Sequence, residues 1–381
     1  MIYYVVSFSL ALFFAECAKR LYRNKILFFF SIIFSIAPLV LLVSLRDWTV
    51  GSDTMFYQIP VWNLAKTYHG SSFWKFAALR PGMEIGYLYA NYIVSRYTHN
   101  IVWFYLCMYS IMLIPIYLFA FKFRKYLSPT LVLFFFCLLL YNESFSTIRQ
   151  AVAMSISLLS VMALLKRKYL QAFLFIYISC LFHRTAFLIL AFPVLYIIMQ
   201  SFPVKKYRFA YLLFGFLMVT CAYWSNSLIL WALDSGSINE KFRIYTTESE
   251  VFKGGLSLTY LLIKIVIFIY CWQIYERYRV GRHYILFCLI IASVDMVTTL
   301  LGQINFHLIR LTLYPRILSC FYLPFLYKNF SIKFKTPQGI IPHPLPYIIV
   351  LLTVFYWYYV YIHGDFASTS DYRFNQDIFG V

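Results

Sequence analysis

Six arginines stand at the ends of apolar stretches, where a guanidinium group needs either an anionic partner or water. They are Arg46, Arg80, Arg149, Arg184, Arg310 and Arg316. Because a guanidinium can bind phosphate oxygens through two parallel hydrogen bonds, the set predicts a site for the phosphate of a lipid or of a lipid-linked intermediate. The alternative for any single arginine is contact with lipid headgroups or pairing with an acid such as Asp47, Asp53 or Glu84.

Two positions add features of reaction chemistry. Arg149-Gln150 follows the polar segment 141–147 and opens an apolar stretch. The amino terminus of a helix there would add its positive dipole to the guanidinium and make an anion site. His183 separates two short apolar stretches, where an imidazole can accept a proton or donate a hydrogen bond. An ordinary helix start and a turn with a hydrogen-bonded histidine are the alternatives.

Further charges lie deeper in apolar sequence. By helical rise, Arg316 would lie about 9 Å deeper in the membrane than Arg310, which calls for either an anionic substrate or a buried acid as its partner. Lys264 and Asp295 occur on consecutive apolar stretches and reach a similar depth near the middle of the bilayer. We predict that they form a structural ion pair and favour this over a proton relay.

The composition determines the class of protein that carries these residues. Of 381 residues, 62% are hydrophobic and 12% are charged, about half the charged fraction of a soluble domain. This excludes a soluble globular protein and predicts an all-α, polytopic membrane protein with a single transmembrane domain over residues 1–381. The net charge of +19 comes from short clusters between apolar stretches, so it indicates membrane orientation and not nucleic-acid binding.

The basic clusters also predict the topology. If they all face the cytoplasm, the chain crosses the membrane about twelve times, with outer loops near 46–82 and 234–255. Residues 83–97 do not fit a full crossing, and we expect a re-entrant or partial helix there. The stretches 129–142, 169–182 and 185–199 are short for a bilayer, so their outer turns should lie recessed around a cleft. Aromatic residues within 56–79 predict interfacial helices.

No motif of metal or nucleotide chemistry is present. The sequence lacks H-E-x-x-H, a phosphate-binding glycine loop and G-x-S-x-G, so we expect neither a metal nor a cofactor. The eight cysteines have no C-x-x-C spacing, which argues against a zinc site or a disulfide framework.

Four segments together resemble a known family. They are RDWTVGSDTMFY at 46–57, EIGY at 84–87 after Arg80-Pro-Gly, IRQAVA at 148–153 and FHRTA at 182–186. In this order and spacing they are similar to motifs of the EpsG family of Wzy-type polysaccharide polymerases. The matches cover roughly residues 40–200. Ser52, where threonine is common, and Arg184, where a neutral residue is usual, depart from the family pattern.

The resemblance implies a multi-pass enzyme of the bacterial inner membrane with an architecture like that of the GT-C glycosyltransferases. Its reaction would join oligosaccharide repeat units of O-antigen or capsule, carried on undecaprenyl pyrophosphate, at the periplasmic face. Membrane lipids and a chain-length regulator protein would be its other partners.

The candidate residues follow from both lines of reasoning. His183 is the first candidate for the base that accepts the acceptor hydroxyl proton, with Glu84 or Asp53 as the alternatives, and Arg149 would act on the departing pyrophosphate. Candidate residues for binding pyrophosphate or sugar are Arg46, Tyr57, Arg80, Tyr87, Gln150, Arg310 and Arg316.

Three other functions remain open from sequence. An O-antigen ligase would use the same donor with a different acceptor. A transporter or flippase of lipid-linked sugars needs no base and usually has internal pseudo-symmetry, which the spacing does not show. An outer-face acyltransferase would need His183 but would leave the arginines unexplained.

Overall fold

The structure is a computed structural model that describes residues 1–68, 70, 72–192, 194, 231, 234–235, 258–278, 282–304, 310–330, 333–336, 339–342 and 344–375. The described part is helical, as expected, with one antiparallel hairpin of β1 (Lys333–Thr336) and β2 (Gly339–Pro342). Most of the predicted loop near 234–255, and residues 195–199 of the last short stretch, lie outside the described residues.

Thirteen α-helices are described. In chain order they are α1 (Ile2–Arg20), α2 (Lys25–Ser44), α3 (Ile59–Thr67), α4 (Phe73–Ala78), α5 (Ile85–Tyr97), α6 (Ile101–Lys122), α7 (Pro129–Phe136), α8 (Ile148–Leu165), α9 (Tyr169–Phe182), α10 (Leu258–Arg277), α11 (Arg282–Ile304), α12 (Leu313–Asn329) and α13 (Leu345–Trp357). Short π-helical segments occur at Thr54–Gln58, Cys137–Tyr141 and Tyr358–His363, and 3₁₀ turns at Glu143–Phe145 and Arg184–Leu190.

Four of the described helices are long and apolar enough to cross a membrane. They are Ile2–Arg20, Lys25–Ser44, Ile101–Lys122 and Leu345–His363. Shorter apolar helices are Pro129–Tyr141, Ile148–Leu164, Tyr169–Phe182 and Tyr284–Thr299. Four of the described helices thus have the length and composition of membrane spans, while the total of about twelve crossings stays a prediction.

The chain divides into two compact units. The first contains Met1–Pro193, Cys320–Asn329 and Thr353–Val381, and the second contains Val194–Ser319 and Phe330–Leu352. In the first unit α2 packs between α1 and α6, and α8 packs between α6 and α9. Asparagine side chains begin two of these helices: Asn24 accepts hydrogen bonds from the first turn of α2, and Asn100 from that of α6.

The basic clusters of the first unit gather at one end of it. Glu16, near the end of α1, accepts a hydrogen bond from Thr130 at the start of α7. Nζ of Lys328 donates a hydrogen bond to the carbonyl oxygen of Arg124. The side chains of Lys166 and Lys122 lie close enough for their positive charges to repel each other. The opposite end, which we call the loop end, carries residues 45–54, 142–147 and 364–375.

A short helix occupies the segment that did not fit a full crossing. At about 1.5 Å per residue, the 13 residues of α5 reach about 20 Å, less than a bilayer core of about 30 Å. Its first-turn residue Tyr87 packs edge-to-face on Phe104, which lies near the start of α6. Helices α3 and α4 fall within 56–79, the segment expected to form interfacial helices.

The second unit contains a buried ion pair. Lys264 of α10 donates a hydrogen bond to the carboxylate of Asp295 of α11. Both side chains are 1% exposed, and the two helices pack together. The predicted pairing of these two residues is therefore confirmed.

We expect single substitutions of this pair to destabilise the protein more than the double one. Lys264→Met or Asp295→Leu leaves one buried charge without its partner, which should lower the free energy of unfolding by about 3–5 kcal/mol. The double variant removes both charges and should recover most of that loss. Thermal unfolding in detergent measures the effect, and a double variant as unstable as either single one would contradict it.

Candidate functional site

Glu84 joins the two residues that the sequence singled out separately for chemistry. Its carboxylate accepts a hydrogen bond from Nη1 of Arg149 at 2.6 Å through Oε2. Its other oxygen, Oε1, lies 3.1 Å from Nδ1 of His183. Glu84 precedes the first turn of α5, Arg149 lies in the first turn of α8, and His183 follows the last turn of α9. Three helix ends therefore meet at one carboxylate.

The groups around the carboxylate of Glu84 keep it ionised. Burial of Glu84 by itself would raise its pKa, but the hydrogen bond with His183 and the charge of Arg149 outweigh burial and lower the pKa to about 2. An ionised carboxylate can only accept hydrogen bonds, so Nδ1 of His183 must carry the proton between them. A neutral His183 then has its lone pair on Nε2, where it can accept a proton.

A glycine allows α5 to approach α9 this closely. A Cβ atom added at Gly86 would lie 2.8 Å from the carbonyl oxygen and 3.0 Å from the carbonyl carbon of Leu181. Gly86 lies two residues after Glu84, and Leu181 lies two residues before His183. The close backbone contact therefore sets the distance between carboxylate and imidazole.

The guanidinium of Arg149 is partly exposed and has N–H donors that Glu84 does not use. Its side chain is 25% exposed, and the contact with Glu84 uses one of the five N–H donors of a guanidinium. The ring of Tyr87 lies 5.7 Å from the guanidinium carbon. Because Arg149 lies in the first turn of α8, the helix dipole adds positive potential at the same place.

Arg46 has a different environment. Its side chain is 2% exposed, and its guanidinium carbon lies 4.6 Å from the ring centre of Tyr105 and 4.7 Å from that of Phe145. Its Nη2 donates to Oε1 of Gln58 at 2.9 Å and to the carbonyl oxygen of Phe145 at 3.2 Å. The guanidinium thus holds the loop that leads into α8, and its predicted role in substrate binding stays a prediction.

The segment after Arg46 is shaped to fit the same loop. Gly51 has a positive φ of 99°, and a Cβ there would lie 2.7 Å from Oγ1 of Thr54 and 3.1 Å from the carbonyl oxygen of Phe145. The amide and hydroxyl of Ser52 both donate to Oγ of Ser146, at 3.0 and 2.9 Å. The segments 46–57 and 142–150, which the sequence presents as separate motifs, are therefore adjacent in the fold.

The remaining candidates differ in how accessible they are. Arg80 is half-buried, and within the part of the chain that the structure describes its side chain has no hydrogen bond or ion pair. Tyr57 is 50% exposed, and Asp53 is half-buried. Tyr87 and Gln150 are buried. Their proposed contacts with substrate stay predictions.

Arg310 and Arg316 belong to the second unit. Arg310 is exposed, and Arg316 is 2% exposed with Nη2 donating to Oγ1 of Thr312 at 2.9 Å. Arg184, next to His183, is also exposed. Of the candidates, the structure joins Glu84, Arg149 and His183 by direct contact and places Tyr87 beside them.

Sequence reasoning missed three contributors to this arrangement. Gly86 was part of a motif, but its close approach to α9 has no signal in a single sequence. Ser146 lies in the polar segment before Arg149, where its contacts with Ser52 could not be foreseen. The third contributor is the chain after His363, which binds residues 45–52 through backbone hydrogen bonds.

The apolar helices indicate a helical membrane protein, and Glu84, Arg149 and His183 form a cluster beside its loop end. The pattern of the EpsG family matches residues 25–374. The chain therefore belongs to the EpsG family, a family of Wzy-like polymerases. This confirms the resemblance and extends it well beyond residues 40–200. No curated protein and no solved structure matches the chain.

Gly86→Ala tests the close contact between α5 and α9. The new methyl group meets backbone atoms of Leu181, so α5 must move away and lengthen the contact between Glu84 and His183. We expect polymerisation in the native membrane, measured as the amount of polysaccharide formed, to fall about tenfold or more. Gly70→Ala is the matched control, because a Cβ there meets nothing within 4 Å. Equal activities of the two variants would contradict the prediction.

The lowered pKa of Glu84 predicts a pH dependence of stability. The folded pKa of about 2 lies below the ordinary value of 4.5, so the ionised group stabilises the fold above about pH 4.5 and loses this effect as the pH falls toward 2. We expect the thermal midpoint of the wild type to exceed that of Glu84→Gln at about pH 5. The margin should shrink as the pH falls from about 5 toward 2. A margin that grows over this range would refute the assignment.

Proposed function

We propose that this protein is a glycosyltransferase-type polymerase that joins oligosaccharide repeat units carried on undecaprenyl pyrophosphate. Membership of the EpsG family supports a Wzy-like polymerase in general. The observation that carries the specific proposal is the shared carboxylate of Glu84, which brings a partly exposed arginine and a histidine together. These are the two groups that such a transfer needs.

The reaction requires one bond to form and one to break. A hydroxyl oxygen of the acceptor repeat unit attacks the anomeric carbon of the donor sugar, and the bond from that carbon to the pyrophosphate oxygen breaks. The electron pair of that bond leaves with the undecaprenyl pyrophosphate, whose negative charge rises at the oxygen released. Arg149, together with the dipole of α8, stabilises that charge without a metal. Arg80 would be a second arginine that binds the pyrophosphate.

The proton of the attacking hydroxyl goes to Nε2 of His183. Glu84 holds the opposite nitrogen, Nδ1, as the proton donor, so Nε2 faces the reaction as the acceptor. This assigns Glu84 a positioning role. With a pKa of about 2, its carboxylate is too weak a base to accept the hydroxyl proton near neutral pH. His183 is therefore the base that we propose, ahead of Glu84 and Asp53.

We place this chemistry at the periplasmic face of the bacterial inner membrane. The basic clusters gather at the end of the first unit opposite the loop end, and such clusters face the cytoplasm in most membrane proteins. The proposal includes about twelve crossings with a GT-C-like architecture. The short helices around the loop end, such as α5 and α9, would leave room for a water-filled cleft that admits the polar sugars.

The proposed partners follow from the reaction. The substrate is a lipid-linked oligosaccharide that serves both as donor and as acceptor, for O-antigen or for capsule, and a chain-length regulator would act on the product. An O-antigen ligase would use the same donor site with another acceptor. A flippase is disfavoured, because transport needs neither the Glu84–His183 pair nor an arginine held beside it.

A polymerase-deleted strain that holds the matching sugar cluster provides the test. The wild-type gene should restore a ladder of surface polysaccharide on a gel. Arg149→Ala and His183→Ala should each reduce polymerisation by about 100-fold or more, since one loses the group that stabilises the leaving pyrophosphate and the other loses the base. The variants must be compared at equal amounts of protein in the membrane.

Lys168→Ala is the matched control, because Lys168 is an exposed basic residue just before α9, at the end of that helix opposite His183. It should keep the ladder. A strain that lacks even the single capped repeat unit after deletion of the gene would point to a ligase or to an earlier step. A wild-type gene that restores no ladder would reject the polymerase.

A further inference from the structure

The chain after the last membrane-span candidate returns across the loop end. We call residues 364–375 the C-terminal strap. The amide of Asn375 donates to the carbonyl oxygen of Leu45 at 2.9 Å, and the amide of Asp47 donates to that of Arg373 at 2.8 Å. Farther along, the amide of Gly51 donates to the carbonyl oxygen of Ser368 at 2.9 Å. The strap therefore runs beside the segment 45–52.

The strap also holds the loop before Arg149. Nδ2 of Asn142 donates to Oγ1 of Thr369 at 3.0 Å, and both residues are fully buried. Oγ of Ser146 lies within hydrogen-bonding distance of the carbonyl oxygen of Ala367, at 3.3 Å. Oδ1 of Asn142 accepts from Nε1 of Trp357 at 3.0 Å. Both ends of the Asn142 amide are therefore occupied by the C-terminal part of the chain.

The conformation of the strap depends on these contacts. Three of its residues that are not glycine have left-handed backbone angles: φ is 49° at Asp365, 70° at Ala367 and 52° at Ser368. Such angles are unfavourable for residues with a Cβ atom and persist only where the surroundings hold them. The hydroxyl of Tyr4 fixes the centre of the strap by donating to the carbonyl oxygen of Thr369 at 2.8 Å.

We propose that the C-terminal strap is a positioning element of the transfer site, acting through Thr369 and Ala367 on the loop 142–147. This rests on the proposed function in so far as the positioned group is Arg149. The loop leads into α8, which begins two residues after Ser146, so its path sets where the first turn of α8 begins. Thr369 and Ala367 bind one side of this loop.

Other groups bind the backbone of this loop. Arg46 and Gln58 both donate to the carbonyl oxygen of Phe145, and Tyr109 donates to that of Ser144 at 2.8 Å. The strap contributes the side-chain contact at Asn142. Without the acceptor oxygen of Thr369, a fully buried N–H group of Asn142 has no partner, and the loop must move to find one.

Substitutions at Thr369 test the proposal. Thr369→Val keeps the shape and removes the acceptor oxygen, whereas Thr369→Ser keeps the oxygen. In lipid nanodiscs, we expect Thr369→Val to speed hydrogen exchange of the amides in 142–149 about tenfold and to leave α1 and α2 unchanged. In the complementation strain, polymerisation should fall about tenfold and should be rescued by Thr369→Ser.

Asp371→Asn is the matched control, because Asp371 is exposed and its side chain contacts Arg373 at the surface. It should leave exchange and polymerisation unchanged. Ser146→Ala, which removes the second tie to the strap, should repeat the effect of Thr369→Val in milder form.

Each contrary result is decisive. Unchanged exchange at 142–149 in Thr369→Val overturns the strap as a positioning element. Faster exchange with an unchanged ladder shows a strap that stabilises the loop but does not position Arg149. Faster exchange throughout α1 and α2 shows a purely structural role. A wild-type protein that makes no ladder would refute the polymerase, and the exchange measurement would still decide whether the strap holds the loop.

Discussion

The arrangement of the first unit depends on how one buried carboxylate is compensated. Glu84 is 8% exposed, and a carboxylate with so little contact with water is costly unless charged or hydrogen-bonding groups replace the solvent. Arg149 and His183 supply that replacement from two other helices. Because each partner binds a different oxygen of the carboxylate, the amino ends of α5 and α8 and the carboxyl end of α9 are held at fixed positions relative to one another.

Two arginines show how burial decides the role of the same side chain. Arg46 is enclosed by aromatic rings and neutral oxygens, so its donors serve the loop before α8. Arg149 is partly open to the surroundings, and only part of its hydrogen-bonding capacity is used by Glu84. The buried arginine therefore organises the backbone, and the open one is the arginine that a pyrophosphate can reach in the proposed reaction.

Asp295 and Glu84 are both buried acids, but their basic partners differ in exposure. Asp295 and its partner Lys264 are each 1% exposed, so this pair is sealed in the second unit and links α10 to α11. Arg149 and His183 are 25% and 19% exposed at their side chains, although the acid between them is buried. A fully buried ion pair such as Lys264–Asp295 can only hold helices together. In the Glu84 cluster the partly exposed side chains of Arg149 and His183 can also contact other molecules.

The sequence by itself determined the class of the protein, because the content of apolar residues and their runs follow from the thickness of a bilayer. It determined the family through four motifs, and it predicted the Lys264–Asp295 pair, because depth along consecutive antiparallel helices follows from helical rise. Only the tertiary structure decided that Glu84 binds Arg149 and His183, which lie 65 and 99 residues away. It also decided that Arg46 is enclosed and that the C-terminal strap returns to residues 45–52. Hydropathy and motif spacing indicate which residues lie in a helix and how deep they lie in the membrane. Which helix ends meet depends on side-chain packing between segments that are distant in the sequence.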